Sequence, residues 1–472
     1  MTEDVGKELV ALAAGIRFSD IPRQVVETAL LQILDFCASA VAGVDADGIP
    51  ALRALASGWG GKPQASVVGW GTKLPAPLSA LVNAATARAL ELDDVHEAAL
   101  LHPTVATVPV ALAVAQAEGG VTGEAFLTAV IVAQEVMCRL GLAPEYHVSG
   151  PLHRPRGMSY TYQVGVLGGA VAAGLVLGLD EGSLLDSFGN AFTAIAGNQQ
   201  AIQEGVLAIR VQQGVTAQTA LQSAYFARTG ITGPHHALEG KFGWLSYWHD
   251  GRYERDVVTR GLGAEWETLN VSIKPYPTCR ITHNAIGATM EVLARHAIRP
   301  GEVDRLVVHV NSLESWDEVV QPVEQKRSPR TSMEAQFSLQ FACAIAAVKG
   351  RLTLADLEGS SLADPEVLAM AQKIEPVLDD VDDEPMGRVL PMPITVDLYA
   401  RGRLLGHATS EYPPGHPRNP LGWEDVVTKL RTSAQWAGDR GSHDAVDSIV
   451  AAVADLPVTA DVGVLGEALE LR

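Results

Sequence analysis

Apolar residues recur every three or four positions through most of the first 268 residues of the chain. This spacing places side chains on one face of an α-helix. Between residues 23 and 42 the residues with this spacing are Val26, Ala29, Leu30, Ile33, Leu34 and Cys37. Similar spacing predicts further helices over residues 83–90, 105–118, 123–141, 163–177, 181–196 and 215–228. Many of these segments are rich in Gly and Ala, which let helices cross closely. We therefore predict an all-helical domain over residues 1–268.

The pattern changes at about residue 269. Alternating apolar positions predict strands over residues 269–274, 303–311, 394–399 and 404–410. The last two strands are expected to form a hairpin. Helical spacing predicts helices over residues 283–296, 332–350 and 365–374. Residues 269–410 are thus expected to form a smaller α+β domain. Residues 411–472 contain two more predicted helices, 423–436 and 442–455, and are expected to pack back on the helical domain.

Composition narrows the class of protein. Hydrophobic residues make up 47% and charged residues 19% of the 472 residues, as in globular proteins. With 55 acidic and 35 basic residues the formal net charge is −20, so nucleic acid is not an expected partner. The N-terminal residues lack the pattern of a signal peptide, and uncharged apolar runs are shorter than the roughly 18 residues that a membrane-spanning helix needs. No membrane association is therefore expected. Four widely separated cysteines indicate a cytoplasmic protein without a disulfide framework.

Two polar clusters are candidates for chemistry. The segment from Lys274 to His283 places Lys274, Arg280 and His283 within ten residues. On so acidic a protein, a local cationic pocket is what a small carboxylate needs in order to bind. The second cluster contains Glu91, Asp93, Asp94 and His102, whose carboxylates and imidazole can act as general base and general acid. Solvated loop charges and helix capping are the structural alternatives for both clusters.

Two other motifs do not support a binding site. His96 and His102 lie six residues apart, about 240° around a helix at 3.6 residues per turn, so they do not form the zinc motif of metalloproteases. The glycines between residues 165 and 174 follow no predicted strand, and helix packing explains them better than a phosphate-binding loop does. Individual arginines such as Arg154, Arg156 and Arg210 could bind a carboxylate in a bidentate manner, or lie on the surface.

Short motifs distributed along most of the chain resemble the MmgE/PrpD family, whose activities include 2-methylcitrate dehydration, cis-aconitate decarboxylation and iminodisuccinate epimerisation. The motifs that carry the resemblance are Leu34-Asp35, Ser66-Val67-Val68-Gly69, Glu91-Leu92-Asp93-Asp94, His102-Pro103, Gly230–Pro234, Lys274–His283, Ala335–Gln340 and Gly415-His416-Pro417. The resemblance implies a large helical domain built from both chain ends, an inserted α+β lid domain, and an active site between them. It also implies a cytoplasmic homodimer.

The resemblance further implies a chemistry that needs neither cofactor nor metal, in which a proton is removed next to a carboxylate. On this basis the expected catalytic residues are Glu91, Asp93, His102 and Lys274. The expected substrate-binding residues are Arg210, Arg280 and His283. The substrate is expected to be a small carboxylate.

The leading functional hypothesis is a carbon–oxygen lyase that dehydrates a 2-methylcitrate-like di- or tricarboxylate. An epimerase or isomerase, a decarboxylase, and a catalytically lapsed dimer that binds an anion are the alternatives. Several positions differ from the family pattern, among them Glu91, Ser159, Arg210 and Phe341. Arg210 takes the place of a lysine and Phe341 that of a tyrosine in the decarboxylase branch, which disfavours cis-aconitate decarboxylation.

Overall fold

The computed structural model describes residues 4–144, 157–379, 393–438 and 442–471, apart from the side chain of residue 314. It confirms the predicted fold class, since helices predominate and the strands form small sheets. The helices of the first part are α1 (Val5–Gly15), α2 (Arg23–Ala42), α3 (Ile49–Trp59), α4 (Ala76–Arg88), α5 (Thr104–Glu118), α6 (Gly123–Leu142), α7 (Tyr160–Val176), α8 (Glu181–Phe192), α9 (Gln200–Gln203), α10 (Ala208–Arg228) and α11 (Arg255–Thr259).

Small residues allow the central helices to pack closely. A Cβ atom added at Gly169 in α7 would lie 2.8 Å from Ala220 of α10 and 3.0 Å from the carbonyl of Ala106 in α5. Gly168 faces α6 in the same way, with the Ala133 carbonyl 3.0 Å away. These glycines serve helix packing, because real Cβ atoms are not tolerated at such distances.

The lid domain contains a four-stranded sheet in the order β6-β5-β7-β8. Strand β5 (Val303–Val310) pairs in parallel with β6 (Ile374–Leu378) and antiparallel with β7 (Ile394–Ala400), and β7 pairs antiparallel with β8 (Arg403–Ser410). The predicted hairpin is confirmed. Its turn residues Arg401 and Gly402 have φ of 57° and 70°, as a tight hairpin turn requires.

Helices complete the lid domain and the chain. The lid helices are α12 (His283–His296), α13 (Leu313–Ser315), α14 (Val323–Arg327), α15 (Ser332–Gln336), α16 (Leu339–Lys349) and α17 (Pro365–Ala371). Helices α12 and α16 pack against the four-stranded sheet. The last helices are α18 (Trp423–Trp436), α19 (His443–Ala454) and α20 (Gly463–Ala468). One hydrophobic core contains residues between 5 and 273 together with residues between 426 and 471, and the lid core is built mainly from residues 279–408.

The structure corrects three sequence predictions. The helix predicted over residues 332–350 is two helices, because the Ser338 side chain accepts a hydrogen bond from the Phe341 N–H and starts α16. Strand β6 was missed. The first part is not all-helical, since β1 (Ala65–Ser66) pairs with β2 (Lys73–Leu74), and β3 (Val95–His96) pairs with β4 (Val271–Ser272).

In the part of the chain that the structure describes, two helical segments are long and apolar enough to cross a membrane by length and composition alone, namely Arg23–Asp45, which is α2 with the turn after it, and Gly123–Leu142. Their most apolar windows are 72% and 89% buried inside the protein, which is how core helices are placed.

Candidate active site

A cavity of about 140 Å³ lies where residues of the helical domain and of the lid domain meet. Its volume is many times the roughly 10–15 Å³ that one water molecule requires. Apolar side chains from both domains line it, namely Met158, Ile202, Ile281, Phe337 and Ile394. The charged or titratable residues in its lining include Arg88, Glu91, Glu97, His102, Lys274 and Arg280. Both predicted polar clusters therefore contribute to one cavity.

A short antiparallel ladder brings the two clusters together. In β3 and β4, Val95 pairs with Ser272 and His96 with Val271. The ladder places Lys274, two residues beyond β4, beside the loop that leads from α4 into β3. The Ile273 N–H donates to the carbonyl of Gly415 at 2.9 Å, so the C-terminal segment also supports Lys274.

Buried opposite charges cluster around Glu91. Its carboxylate forms ion pairs with Arg88 and, at 3.0 Å, with Lys274 Nζ. Burial alone raises the pKa of the Glu91 carboxyl, but Arg88 and Lys274 outweigh burial and the net pKa is lowered. Glu91 also has a left-handed backbone, with φ of 52°. It is therefore a held, ionised carboxylate, which suits orientation of Lys274 better than proton abstraction.

His102 is held with one ring nitrogen available to the cavity. Its Nδ1 lies 2.6 Å from the Asp94 carbonyl, which can only accept, so Nδ1 carries the hydrogen. Nε2 is then the basic nitrogen of the neutral ring and makes no hydrogen bond to any described residue. Burial lowers the pKa of His102 despite the Asp93 carboxylate 3.2 Å from Nδ1. The ring is thus neutral at neutral pH, with a positioned lone pair.

Asp93 and Asp94 support His102 from outside the cavity lining. Burial raises the pKa of the Asp93 carboxyl, but Arg88 and His102 outweigh it, so the net pKa is lowered and Asp93 is ionised. Burial raises the pKa of Asp94 well above its usual value, which favours the protonated acid. Its Oδ1 accepts from the Thr104 hydroxyl at 2.7 Å. Burial and local charges therefore shift the pKa values of these two neighbouring carboxyls in opposite directions.

Arg280 presents one hydrogen-bond donor that protein groups leave unused. Its Nε donates to Glu97 at 2.6 Å and its Nη1 to the Pro414 carbonyl at 2.9 Å. Nη2 is buried and has no hydrogen-bond partner among the described residues. A buried cationic donor without a partner is costly, so Nη2 is a candidate donor for a bound carboxylate.

His283 holds Arg280 and is not part of the cavity lining. Its Nε2 lies 3.2 Å from the Thr278 carbonyl and therefore donates, which leaves Nδ1 to accept from Arg280 Nη1 at 3.1 Å. Burial, followed by the charge of Arg280, lowers the pKa of His283 well below its usual value. In this structure His283 orients the arginine and makes no contact that would bind substrate directly.

Other predicted positions lie elsewhere. The structure places Arg210 outside the described cavity lining, where its Nη1 donates to the Asp47 carbonyl. Phe341 is fully buried in the lid core, whereas Ser159 lines the cavity just before α7. Arg154 and Arg156 lie outside the described residues.

Glu97 and Arg88 are parts of the site that were not predicted from the sequence. Arg88 lies three residues before Glu91, a spacing at which side chains meet on a helix, so its pairing could have been anticipated. Glu97 is 183 residues from Arg280 along the chain, and no local pattern indicates their contact. Among the described residues, no group of three or more His, Cys, Asp or Glu residues has an arrangement that could hold a metal ion.

Comparisons with known proteins agree with the resemblance. The MmgE/PrpD N-terminal domain matches residues 7–255, and the MmgE/PrpD C-terminal domain matches residues 276–456. Cis-aconitate decarboxylase of Aspergillus terreus is 27% identical over 94% of this chain and 92% of its own length. Cis-aconitate decarboxylase of Mus musculus is 25% identical over 85% of this chain and 80% of its own length. 2-Methylcitrate dehydratase of Cupriavidus necator is 26% identical over 47% of this chain and 46% of its own length. Because the two domain matches together span most of its length, this chain belongs to the MmgE/PrpD family.

Proposed function

We propose that this protein is a carbon–oxygen lyase that dehydrates a small hydroxy-di- or tricarboxylate, of the 2-methylcitrate type, without a cofactor. The observation that carries the proposal is the arrangement of His102, whose Nδ1 is fixed by the Asp94 carbonyl and which lines one cavity together with Lys274 and Arg280. A positioned base beside cationic groups is what removal of a weakly acidic proton next to a carboxylate requires.

The proposed reaction uses three side chains. His102 Nε2 takes the proton from the carbon next to the substrate carboxylate, and the electron pair moves into that carboxylate. Arg280 Nη2 and Lys274 stabilise the added negative charge. The electron pair then forms the carbon–carbon double bond while the carbon–oxygen bond to the hydroxyl group breaks. The imidazolium returns its proton to the departing hydroxyl, so water leaves and the enzyme is regenerated.

The surroundings of His102 fit this cycle of protonation. The Asp93 carboxylate, 3.2 Å from Nδ1, stabilises the imidazolium after proton transfer. Glu91 is less suited to be the base, because its ion pairs with Arg88 and Lys274 keep it ionised and oriented.

The proposal is tested by incubating the protein with hydroxy-di- and tricarboxylates and following loss of 18 Da by mass spectrometry. His102→Ala and Lys274→Ala should each lower turnover by at least about 100-fold, the usual contribution of general acid–base groups. His309→Ala is a matched control, because that histidine pairs with Asp379 and Asp397 on the lid sheet and is not part of the cavity lining. Near-normal turnover by both site variants would refute the role given to these residues.

Decarboxylation is the second candidate, because relatives aligned over most of this chain are cis-aconitate decarboxylases. The two reactions make opposite demands on His102. Dehydration starts with proton removal and needs a neutral ring, whereas decarboxylation of an unsaturated acid needs a proton donor. Release of carbon dioxide with a rate that rises as the pH falls would favour decarboxylation. Release of water with a rate that falls on acidification would favour dehydration.

A further inference from the structure

The loop that follows α4 is held through its backbone carbonyls. The carbonyl of Glu91 accepts a hydrogen bond from Lys274 Nζ at 3.3 Å, and the carbonyl of Asp94 accepts one from His102 Nδ1 at 2.6 Å. Between them, the carbonyl of Leu92 accepts from Lys429 Nζ at 2.6 Å. Lys429 is 337 residues away along the chain, in α18. A side chain of the C-terminal segment therefore reaches the loop that carries the site.

This loop needs such support because its backbone is strained. Glu91 is not a glycine, yet its φ is 52°. A non-glycine residue is disfavoured in this region of backbone conformation and keeps it only when its surroundings impose it. The side chain of Leu92 is 4% exposed and packs in a small apolar cluster with Ala89 and Leu90. Packing fixes the side chain of Leu92, and Lys429 fixes its carbonyl.

Lys429 is buried and is not part of the cavity lining. Its second partner is Asp35 of α2, whose Oδ1 lies 2.5 Å from Nζ. Two roles are therefore possible in principle. Lys429 could neutralise a buried carboxylate, since an unpaired buried charge is strongly destabilising, or it could hold the loop through Leu92.

We propose that Lys429 is a positioning residue of the active site, which holds the Leu92 carbonyl and thereby fixes Glu91 and Asp93 on either side of it. The inference rests on the proposed function, because it assigns Lys429 to the same reaction. Glu91 holds the cavity lysine, and Asp93 and the Asp94 carbonyl hold His102. A shift of this loop displaces both the cation and the base.

Four variants separate the two roles. In Lys429→Met the bond to Leu92 is lost, and kcat should fall roughly 10- to 100-fold with a smaller change in KM, since a misplacement of about 1 Å can cost about 100-fold. Asp35→Asn should keep most of the wild-type kcat, because the lysine still has an N–H for Leu92. Asp35→Asn/Lys429→Met should stay as slow as Lys429→Met. Lys349→Met, which breaks a partly buried pair with Asp356 in the lid, should be as fast as wild type.

Recovery of kcat in the double variant, or an equally slow Asp35→Asn variant, would overturn the inference in favour of charge neutralisation. Should Lys429→Met fail to fold, comparison of the double variant with Asp35→Asn decides the same question, because the double variant leaves no charge of this pair unpaired. A slower double variant supports the positioning role, and equal rates overturn it.

A measurement without substrate keeps this test separate from the proposed function. The Nδ1–H form of His102 can be read from ¹⁵N chemical shifts in histidine-labelled protein. In the double variant the fraction of His102 in the Nδ1–H form should decrease, because the Asp94 carbonyl moves. In Lys349→Met this fraction should stay as in the wild-type protein. An unchanged His102 signal in the double variant would overturn the inference. Absence of turnover by the wild-type protein on every carboxylate would instead refute the proposed function.

Discussion

Replacement of Arg280 by methionine tests whether the unused donor in the cavity binds the substrate carboxylate. Methionine keeps an unbranched, flexible side chain but removes every N–H group. Of the guanidinium nitrogens, Nε and Nη1 are already bonded to Glu97 and the Pro414 carbonyl, and Nη2 is the donor without a partner among the described residues. The interaction with substrate that is lost is therefore essentially one charge-assisted hydrogen bond.

The expected loss of kcat/KM follows from the removal of this one hydrogen bond. A hydrogen bond to a charged group contributes about 1.5–3 kcal/mol, and about 1.36 kcal/mol corresponds to a factor of ten. The value of kcat/KM in Arg280→Met should therefore fall roughly 10- to 150-fold, measured by steady-state kinetics on the carboxylate that the panel identifies. Because the proposed reaction places charge on the bound carboxylate, kcat should fall together with the affinity.

The variant also leaves the buried Glu97 carboxylate without its arginine, and this effect needs a control. The control is Glu97→Met alone and together with Arg280→Met. If loss of kcat/KM came from the unpaired Glu97, the double variant would recover. Recovery in the double variant, or a kcat/KM of wild-type size in Arg280→Met, would refute the assignment of Arg280 as the carboxylate anchor.

Three further outcomes are expected. The base must be neutral to accept a proton, and burial lowers the pKa of His102. The value of kcat/KM should therefore stay level through neutral pH and fall only below the usual imidazole pKa of about 6.5. A pH profile in which kcat/KM already falls above pH 7 would contradict this. Asp94→Asn should raise the free energy of unfolding at pH 7, because the raised pKa of Asp94 makes its carboxyl destabilising at that pH, whereas asparagine does not titrate and can still accept from Thr104. A raised carboxyl pKa contributes stability that is present at low pH and is lost as the pH rises from about 4 through the raised pKa. Urea unfolding at several pH values should therefore show that the wild-type protein loses stability over this range and that the variant does not. Gly415→Ala should lower both thermal stability and turnover, because the added Cβ would lie 1.8 Å from the Ile273 carbonyl; a variant with wild-type melting temperature and rate would contradict it.

The sequence contained most of the information on the helices and part of the information on the site. Helix α2 was predicted at its observed bounds because its apolar residues keep helical spacing and end at Gly43. The break at Ser338 was invisible, since apolar spacing continues through both helices and the interruption depends on a side-chain cap. Strand β6 was missed because it is short and contains Pro376, which is tolerated there at the edge of the sheet.

For the site, the residue types were predictable but their roles were not. Lys274, Glu91 and His102 were expected in one cleft, and they do line one cavity. That His102 Nδ1 is the protonated nitrogen follows from one backbone carbonyl, which the sequence does not indicate. Arg210 was assigned from its position in a family motif, but the side chain donates to the Asp47 carbonyl, a contact between residues 163 positions apart. Long-range contacts of this kind decide whether a charge is available to a ligand.

The ladder between Val95–His96 and Val271–Ser272 has a consequence for motion of the smaller domain. It ties Ile273 and Lys274 to the large domain, while the Cys279 N–H already donates to the Gln336 carbonyl of the lid. If the lid rotates, the first of its two connections to the large domain must bend between residues 274 and 279, a segment that contains Pro275 and Pro277. Lys274 would stay still during such a rotation and Arg280 would travel, so the guanidinium would leave Glu97 whenever the cleft opens and return to it on closing.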